Sequence, residues 1–101
     1  MTVLMVRFEA SEQGVAAVTK AVQAAFAAVT REHPDGIRYQ YYRCGGGSEF
    51  IALLELADPA ANPLFGIEEA RELQAAMAEQ AIGGPPTPTP LELLGWYESG
   101  R

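Results

Sequence analysis

The sequence predicts an α+β chain in which a four-stranded antiparallel sheet carries two helices on one of its faces. Three observations predict it. Short apolar runs of strand character stand near the start, the middle and the end of the 101 residues, two longer stretches repeat their apolar residues every three or four positions, and Gly- or Pro-rich breaks separate them. The order is β-α-β-β-α-β, read as one domain over residues 1–101 with no internal repeat or linker.

Val3 to Phe8 is an apolar run broken only by Arg7, and reads as the first strand. Ser11 is placed to cap a helix that continues to about Glu32. In it Val15, Val18, Val22, Phe26 and Val29 form one stripe, while Glu12, Lys20, Gln23, Arg31 and Glu32 lie away from it. His33-Pro34-Asp35-Gly36 ends the helix, because the residue before a proline is pushed out of helical geometry. Ile37 to Cys44 and Glu49 to Leu56 read as a hairpin around Gly45-Gly46-Gly47. Asn62 and Pro63 suit the cap and first turn of a second helix with a stripe of Ile67, Ala70, Leu73, Met77 and Ala81, ended by Gly83-Gly84-Pro85. The tract from Pro85 to Pro90 cannot join a sheet interior and is expected to run extended, after which Leu93 to Glu98 reads as the last strand.

This order is the split βαβ, or ferredoxin-like, unit. Its two helices cover one side of the sheet, yet both sides are apolar. In the first strand Val3, Met5 and Arg7 oppose Leu4, Val6 and Phe8; in the third, Phe50, Ala52, Leu54 and Leu56 oppose Ile51, Leu53 and Glu55. A sheet with a solvated face should alternate apolar with polar. No remaining segment is long enough to cover the second face, so a second copy of the chain is expected there, giving a homodimer through the sheet face.

Composition excludes several functional classes. Seven basic against thirteen acidic side chains give a net charge of −6, which argues against nucleic acid and acidic membrane surfaces as partners. One cysteine cannot form an internal disulfide, and with one histidine it cannot build a zinc cage. No apolar run approaches the roughly 20 residues of a membrane span, and Met1-Thr2-Val3 lacks the basic start of a secretory signal. A cytoplasmic protein without metal or cofactor is the expectation.

The combination of Val6-Arg7-Phe8, the Pro34-x-Gly36 exit from the first helix, Tyr39, Tyr42 and Arg43 in the next strand, Asn62-Pro63-Leu64-Phe65 and Gly84-Pro85-Pro86 resembles the antibiotic-biosynthesis monooxygenase-like family. The likeness covers nearly the whole chain. It implies a dimeric α+β barrel, in which two protomers stack their sheets and each keeps a small-molecule pocket between sheet and helices. Some members oxidise aromatic polyketides or quinones with molecular oxygen and no added cofactor, and some degrade haem. The places where family oxygenases often carry an Asn and a Trp on the third strand hold Ala52 and Leu56 here. Haem-degrading members place an Asn where this chain has Arg7 and a His on the helix after the third strand, which has none. No family catalytic set is intact, which disfavours haem degradation and keeps a non-catalytic ligand-binding or assembly module, or an isomerase or cyclase, as alternatives to a monooxygenase.

The candidate pocket is Arg7, Tyr39, Tyr41, Ala52, Leu54, Leu56 and Trp96. Arg7 reads either as a guanidinium reaching the pocket to hold a substrate carboxylate, phenolate or enolate, or as a strand-end partner of Glu9, Glu49 or Glu98. Tyr39 and Tyr41 share one face of the second strand and either orient an aromatic substrate or serve as amphipathic edge residues. Trp96 is a stacking wall, or else core or dimer interface. His33 suits a helix-end cap better than a general base, and Cys44 has no neighbour that would activate it.

Overall fold

The computed structural model describes residues 2–100. It contains β1 (Thr2–Glu9), α1 (Gly14–Glu32), β2 (Ile37–Arg43), β3 (Glu49–Leu56), α2 (Glu68–Gln80) and β4 (Thr89–Leu91), with a 3-10 turn at Pro63–Gly66 ahead of α2. The sheet order is β2-β3-β1-β4 and every pairing is antiparallel. Both helices lie on one side, as the ferredoxin-like order requires.

The first helix begins three residues after Ser11, whose Oγ and backbone oxygen both accept from the Gly14 amide. Gly14 is needed there by close approach, because a methyl group would collide with the Gln80 side chain at the end of α2 and with Ser11 Oγ. At the other end His33 takes a left-handed conformation with φ 52°, its N–H donating to the Val29 carbonyl, and Pro34 bars any further turn.

Two parts of the sequence reading are corrected. The second helix does not start at Asn62. Asn62 Oδ1 accepts from the Leu64 amide at 2.9 Å and caps the short 3-10 turn, then Ile67 is extended (φ −108°, ψ 116°) and α2 starts at Glu68. Gly66 has the lowest helix propensity of its neighbours and marks the break. The last strand is not Leu93 to Glu98 but Thr89–Leu91, paired with Met5, Leu4 and Val3. Pro90 is tolerated because β4 is the sheet's outer strand, where a missing N–H can face away from the ladder.

The helix-covered face of the sheet presents Leu4, Val6, Phe8, Tyr39, Tyr41, Phe50, Ala52, Leu54 and Leu56. One buried cluster joins Phe8, Val18, Phe50, Leu73 and Met77; a second joins Ala28, Leu64, Ile67 and Ala70 with Tyr39 and Leu54 against it. Phe8 stacks on Phe50 at 5.4 Å between ring centres, and Phe26 of α1 stacks on Tyr39 at 4.9 Å. The other face carries Val3, Met5, Ile51 and Leu53, all half-buried, together with Leu91, Tyr42, Arg7 and Glu55. Nothing among the described residues covers it with a helix.

Candidate functional site

Between the sheet and α2 lies a cavity of about 210 Å³. Its floor is Leu4, Val6, Tyr39, Ala52 and Leu54 from three adjacent strands; Ala70, Arg71, Gln74 and Met77 of α2 form the roof, and Asn62, Leu64, Phe65 and Pro88 the rim. The floor residues come from alternate positions of their strands, so strand parity alone puts them together. The roof follows from helical spacing, since 70, 71, 74 and 77 fall on one side at steps of three and four. The walls are mostly apolar with a few polar groups converging on them, the usual character of a small-molecule site, and the volume lies below the ~300–1,000 Å³ of drug-sized pockets.

The polar groups differ in freedom. Asn62 Oδ1 is engaged by the Leu64 amide, and Arg71 Nη1 donates to the Phe65 carbonyl at 2.7 Å, which anchors the guanidinium at the rim while leaving its other donors available. Burial pushes the Tyr39 phenol up to about 12, so it enters any reaction near neutral pH as a proton-bearing hydrogen-bond donor. Burial raises Tyr41 further, and its hydroxyl is buried with no hydrogen-bond partner among the described residues. No carboxylate or histidine lines this cavity, so its walls contain no general base of ordinary pKa.

Of the residues singled out from sequence, the structure brings Tyr39, Ala52 and Leu54 to the cavity. Tyr41 sits one step along the same strand face, its ring 6.2 Å from that of Tyr39 and edge-on to Phe26 and Phe50, outside the cavity wall. Leu56 is buried on the helix side beside Ile37, its register partner, and does not line the space. Arg7 does not reach it: Phe8, Val6 and Leu4 point to the helices, so Arg7 points away and its Nε donates to Glu49 Oε2 at 2.5 Å, the ion-pair reading of the two that the sequence offers. That bond and charge raise the Arg7 pKa and hold Glu49 below the usual carboxylate range. Trp96 also lies away from the cavity, on the exposed segment that follows β4. Arg71, Gln74 and Asn62 are the cavity residues that the sequence reading missed as site groups. Arg71 and Gln74 flank the Ala70–Leu73–Met77 stripe one turn apart, and that border position was the available signal.

No family model matches the chain and no curated protein matches it, whereas solved structures do. An antibiotic biosynthesis monooxygenase superposes with a TM-score of 0.74 at 14% identity, over 94% of this chain and 100% of that one. The chain has the fold of the antibiotic-biosynthesis monooxygenase-like family. A monooxygenase from Streptomyces coelicolor, solved with nanaomycin D bound, matches with a TM-score of 0.63 and 23% identity over 96% and 90% of the two chains. A protein of unknown function from Nitrosomonas europaea matches at 25% identity, with a TM-score of 0.70 over 96% and 92%. Another, from Jannaschia, is described as a dimeric ferredoxin-like protein of unknown function, with a TM-score of 0.62 and 13% identity over 92% and 100%. The monooxygenase-type fold therefore occurs both with and without an assigned reaction. No helix among the described residues is long and apolar enough to cross a membrane.

Proposed function

We propose that this chain is a small-molecule-binding homodimer of the monooxygenase type, with open sheet faces packed together and an aromatic or enolisable compound held in the cavity of each protomer. The observation that carries the binding reading is the cavity itself: apolar walls from Leu4, Val6, Ala52, Leu54 and Met77 with Tyr39, Arg71 and Gln74 converging on one space. A flat apolar molecule suits the walls, and a phenolate or enolate oxygen suits Arg71, whose guanidinium offers a fixed fork of donors. Arg71, and not Arg7, is the guanidinium within reach of such an anion.

Oxygen chemistry in such a site draws on the substrate's own electrons. An electron-rich ring methylene that has lost a proton passes an electron to molecular oxygen; recombination of the two radicals and protonation give a hydroperoxide, which loses water to leave a carbonyl. The ring methylene and O2 thus become a carbonyl and H2O. The protein's part is to orient the substrate and favour its anion, with Arg71 holding the developing negative oxygen and the Tyr39 hydroxyl donating to it. Because no wall residue is a ready base, the proton is assigned to a solvent acceptor.

That same lack of a base favours a second reading, a binding module without turnover. It also weighs against an isomerase or cyclase, which needs acid–base groups at the substrate. The deciding experiment is oxygen uptake with a panel of anthrones and quinols, set beside a thermal-shift screen of the same compounds. Uptake that falls at least tenfold in Arg71→Ala supports the monooxygenase; stabilisation without uptake supports the binding module. Neither uptake nor stabilisation by any member overturns the cavity as a site for this class.

A further inference from the structure

A second cavity of about 210 Å³ lies at the β2 edge of the sheet, beneath the first half of α1. Thr19, Val22 and Gln23 close it from the helix, and Tyr41, Arg43 and Phe50 close it from β2 and β3. The three helical residues share one side of α1, Tyr41 and Arg43 are alternate residues of β2, and Phe50 is the register partner of Arg43. This cavity shares no residue with the one under α2. Tyr39 lines the first and Tyr41 the second; their rings meet edge-on at 6.2 Å, and Phe26 packs against both, so three aromatic rings stand between the two spaces.

Two side-chain atoms among the described residues are buried without a hydrogen-bond partner, Thr19 Oγ1 and Tyr41 Oη, and both belong to residues of this wall. A folded chain leaves few such groups, because each loses its water and gains no bond in return. A helical Thr ordinarily turns its hydroxyl to the carbonyl one turn back, and Thr19 makes no such bond. Arg43 is a third group with capacity to spare. Its Nε donates to the Gly47 carbonyl at 2.6 Å, which anchors the guanidinium, and it forms no salt bridge among the described residues. The donors on its two Nη atoms are therefore open to a partner from outside the chain. Val22, Phe50 and the Tyr41 ring give the same space an apolar wall.

We propose that this cavity is a second ligand site, taking a small planar organic acid whose carboxylate meets Arg43 and whose apolar body lies against Val22 and Phe50, with the Thr19 and Tyr41 hydroxyls completing the polar contacts. A guanidinium without a carboxylate of its own is matched best by a planar carboxylate, through two parallel hydrogen bonds. Burial keeps the Tyr41 phenol protonated, so it donates to an acceptor oxygen, while the Thr19 hydroxyl can donate or accept. A hydrocarbon would leave all three groups unmet, and an inorganic anion would leave the apolar wall wet. The way in is a wider groove along α1 that shares Thr19, Gln23 and Arg43 with the cavity. Its carboxylates, Glu9 and Glu12, line that groove and not the cavity itself. The site is independent of whatever the cavity under α2 binds.

Benzoate is the probe, titrated into the intact protein and followed by amide proton–nitrogen correlation spectra. Saturable shifts should gather on residues 19–23 and 41–43 and leave residues 62–74 unmoved. Arg43→Gln should weaken binding by about tenfold or more and Tyr41→Phe by about threefold, while Arg71→Ala leaves it unchanged. Benzyl alcohol, with the same ring and no charge, should bind at least about tenfold more weakly than benzoate. Tyr41→Phe removes a hydroxyl that holds nothing else in the chain, so its loss of binding cannot be a loss of folding, and circular dichroism makes the same check on Arg43→Gln. The site is overturned if benzoate gives no saturable shift, if both variants bind it as tightly as the parent, or if the shifts gather on residues 62–74 and vanish in Arg71→Ala. That last result would put the acid in the cavity under α2 and leave the reading of that cavity standing.

Discussion

The two faces of one sheet are built from nearly the same residue types and meet different fates. The helix-covered face holds Phe8, Phe50, Ala52 and Leu56 buried, with Leu4, Val6 and Leu54 half-buried around the cavity, while on the other face Val3, Met5, Ile51 and Leu53 are all half-buried and Leu91 lies open. Hydrophobicity is thus shared between them, and what separates them is cover. Stability is expected to reside on the first face and assembly on the second. Each side can be perturbed without the other, which gives a graded series of tests.

The largest effect is expected from Leu73→Ala, since Leu73, on the inner side of α2, is wholly buried in the main cluster. Removing its side chain should cost about 2–5 kcal/mol of folding free energy, read by urea unfolding. A loss below about 1 kcal/mol would show that the helix-covered face is not the principal core. Next comes Leu53→Glu, on the open face. A charge placed in the proposed interface should shift the dimer–monomer equilibrium by a hundredfold or more, with the circular dichroism of the monomer preserved. If the variant associates as tightly as the parent, the open face is not the contact.

Alkaline pH probes the buried phenols. The Tyr39 pKa is raised in the folded protein from an ordinary 10.0 to about 12, so the unfolded chain releases its proton first as pH climbs. The Tyr39 contribution is therefore fully present below pH 10, and on the order of 2 kcal/mol of it should be lost between about pH 10 and pH 12, a loss that Tyr39→Phe should remove. Stability that is flat across that interval would place the Tyr39 hydroxyl in water. The smallest effect belongs to Tyr41→Phe. Its hydroxyl is buried without a partner, so deleting it should leave the melting temperature unchanged or slightly raised. A drop of several degrees would reveal a hydrogen bond at that oxygen.

The same comparison explains what was legible in the sequence. Period-two alternation sorted β1 and β3 into two sets, and those sets are the two faces of the sheet. It carries no sign, because both sets are apolar, so the sequence leaves Arg7 between the cavity and an ion pair, and the structure turns it to the opposite side with Glu49. Helix periodicity found the stripes of α1 and α2 but gave no weight to their borders, where Arg71 and Gln74 meet the cavity. The Leu93–Glu98 run has genuine strand character, yet the ladder partner is taken by Thr89–Leu91, a proline-bearing stretch that only an outer strand accepts. Local propensity identified segments that want to be covered; which neighbour covers them is settled by long-range geometry.

The mass of the protein in dilute solution decides whether the open face is covered. Sedimentation equilibrium at micromolar concentration and neutral pH should give twice the 10.8 kDa of a single chain. A uniform 10.8 kDa species across that range would mean that water, and not a second copy, wets the open face.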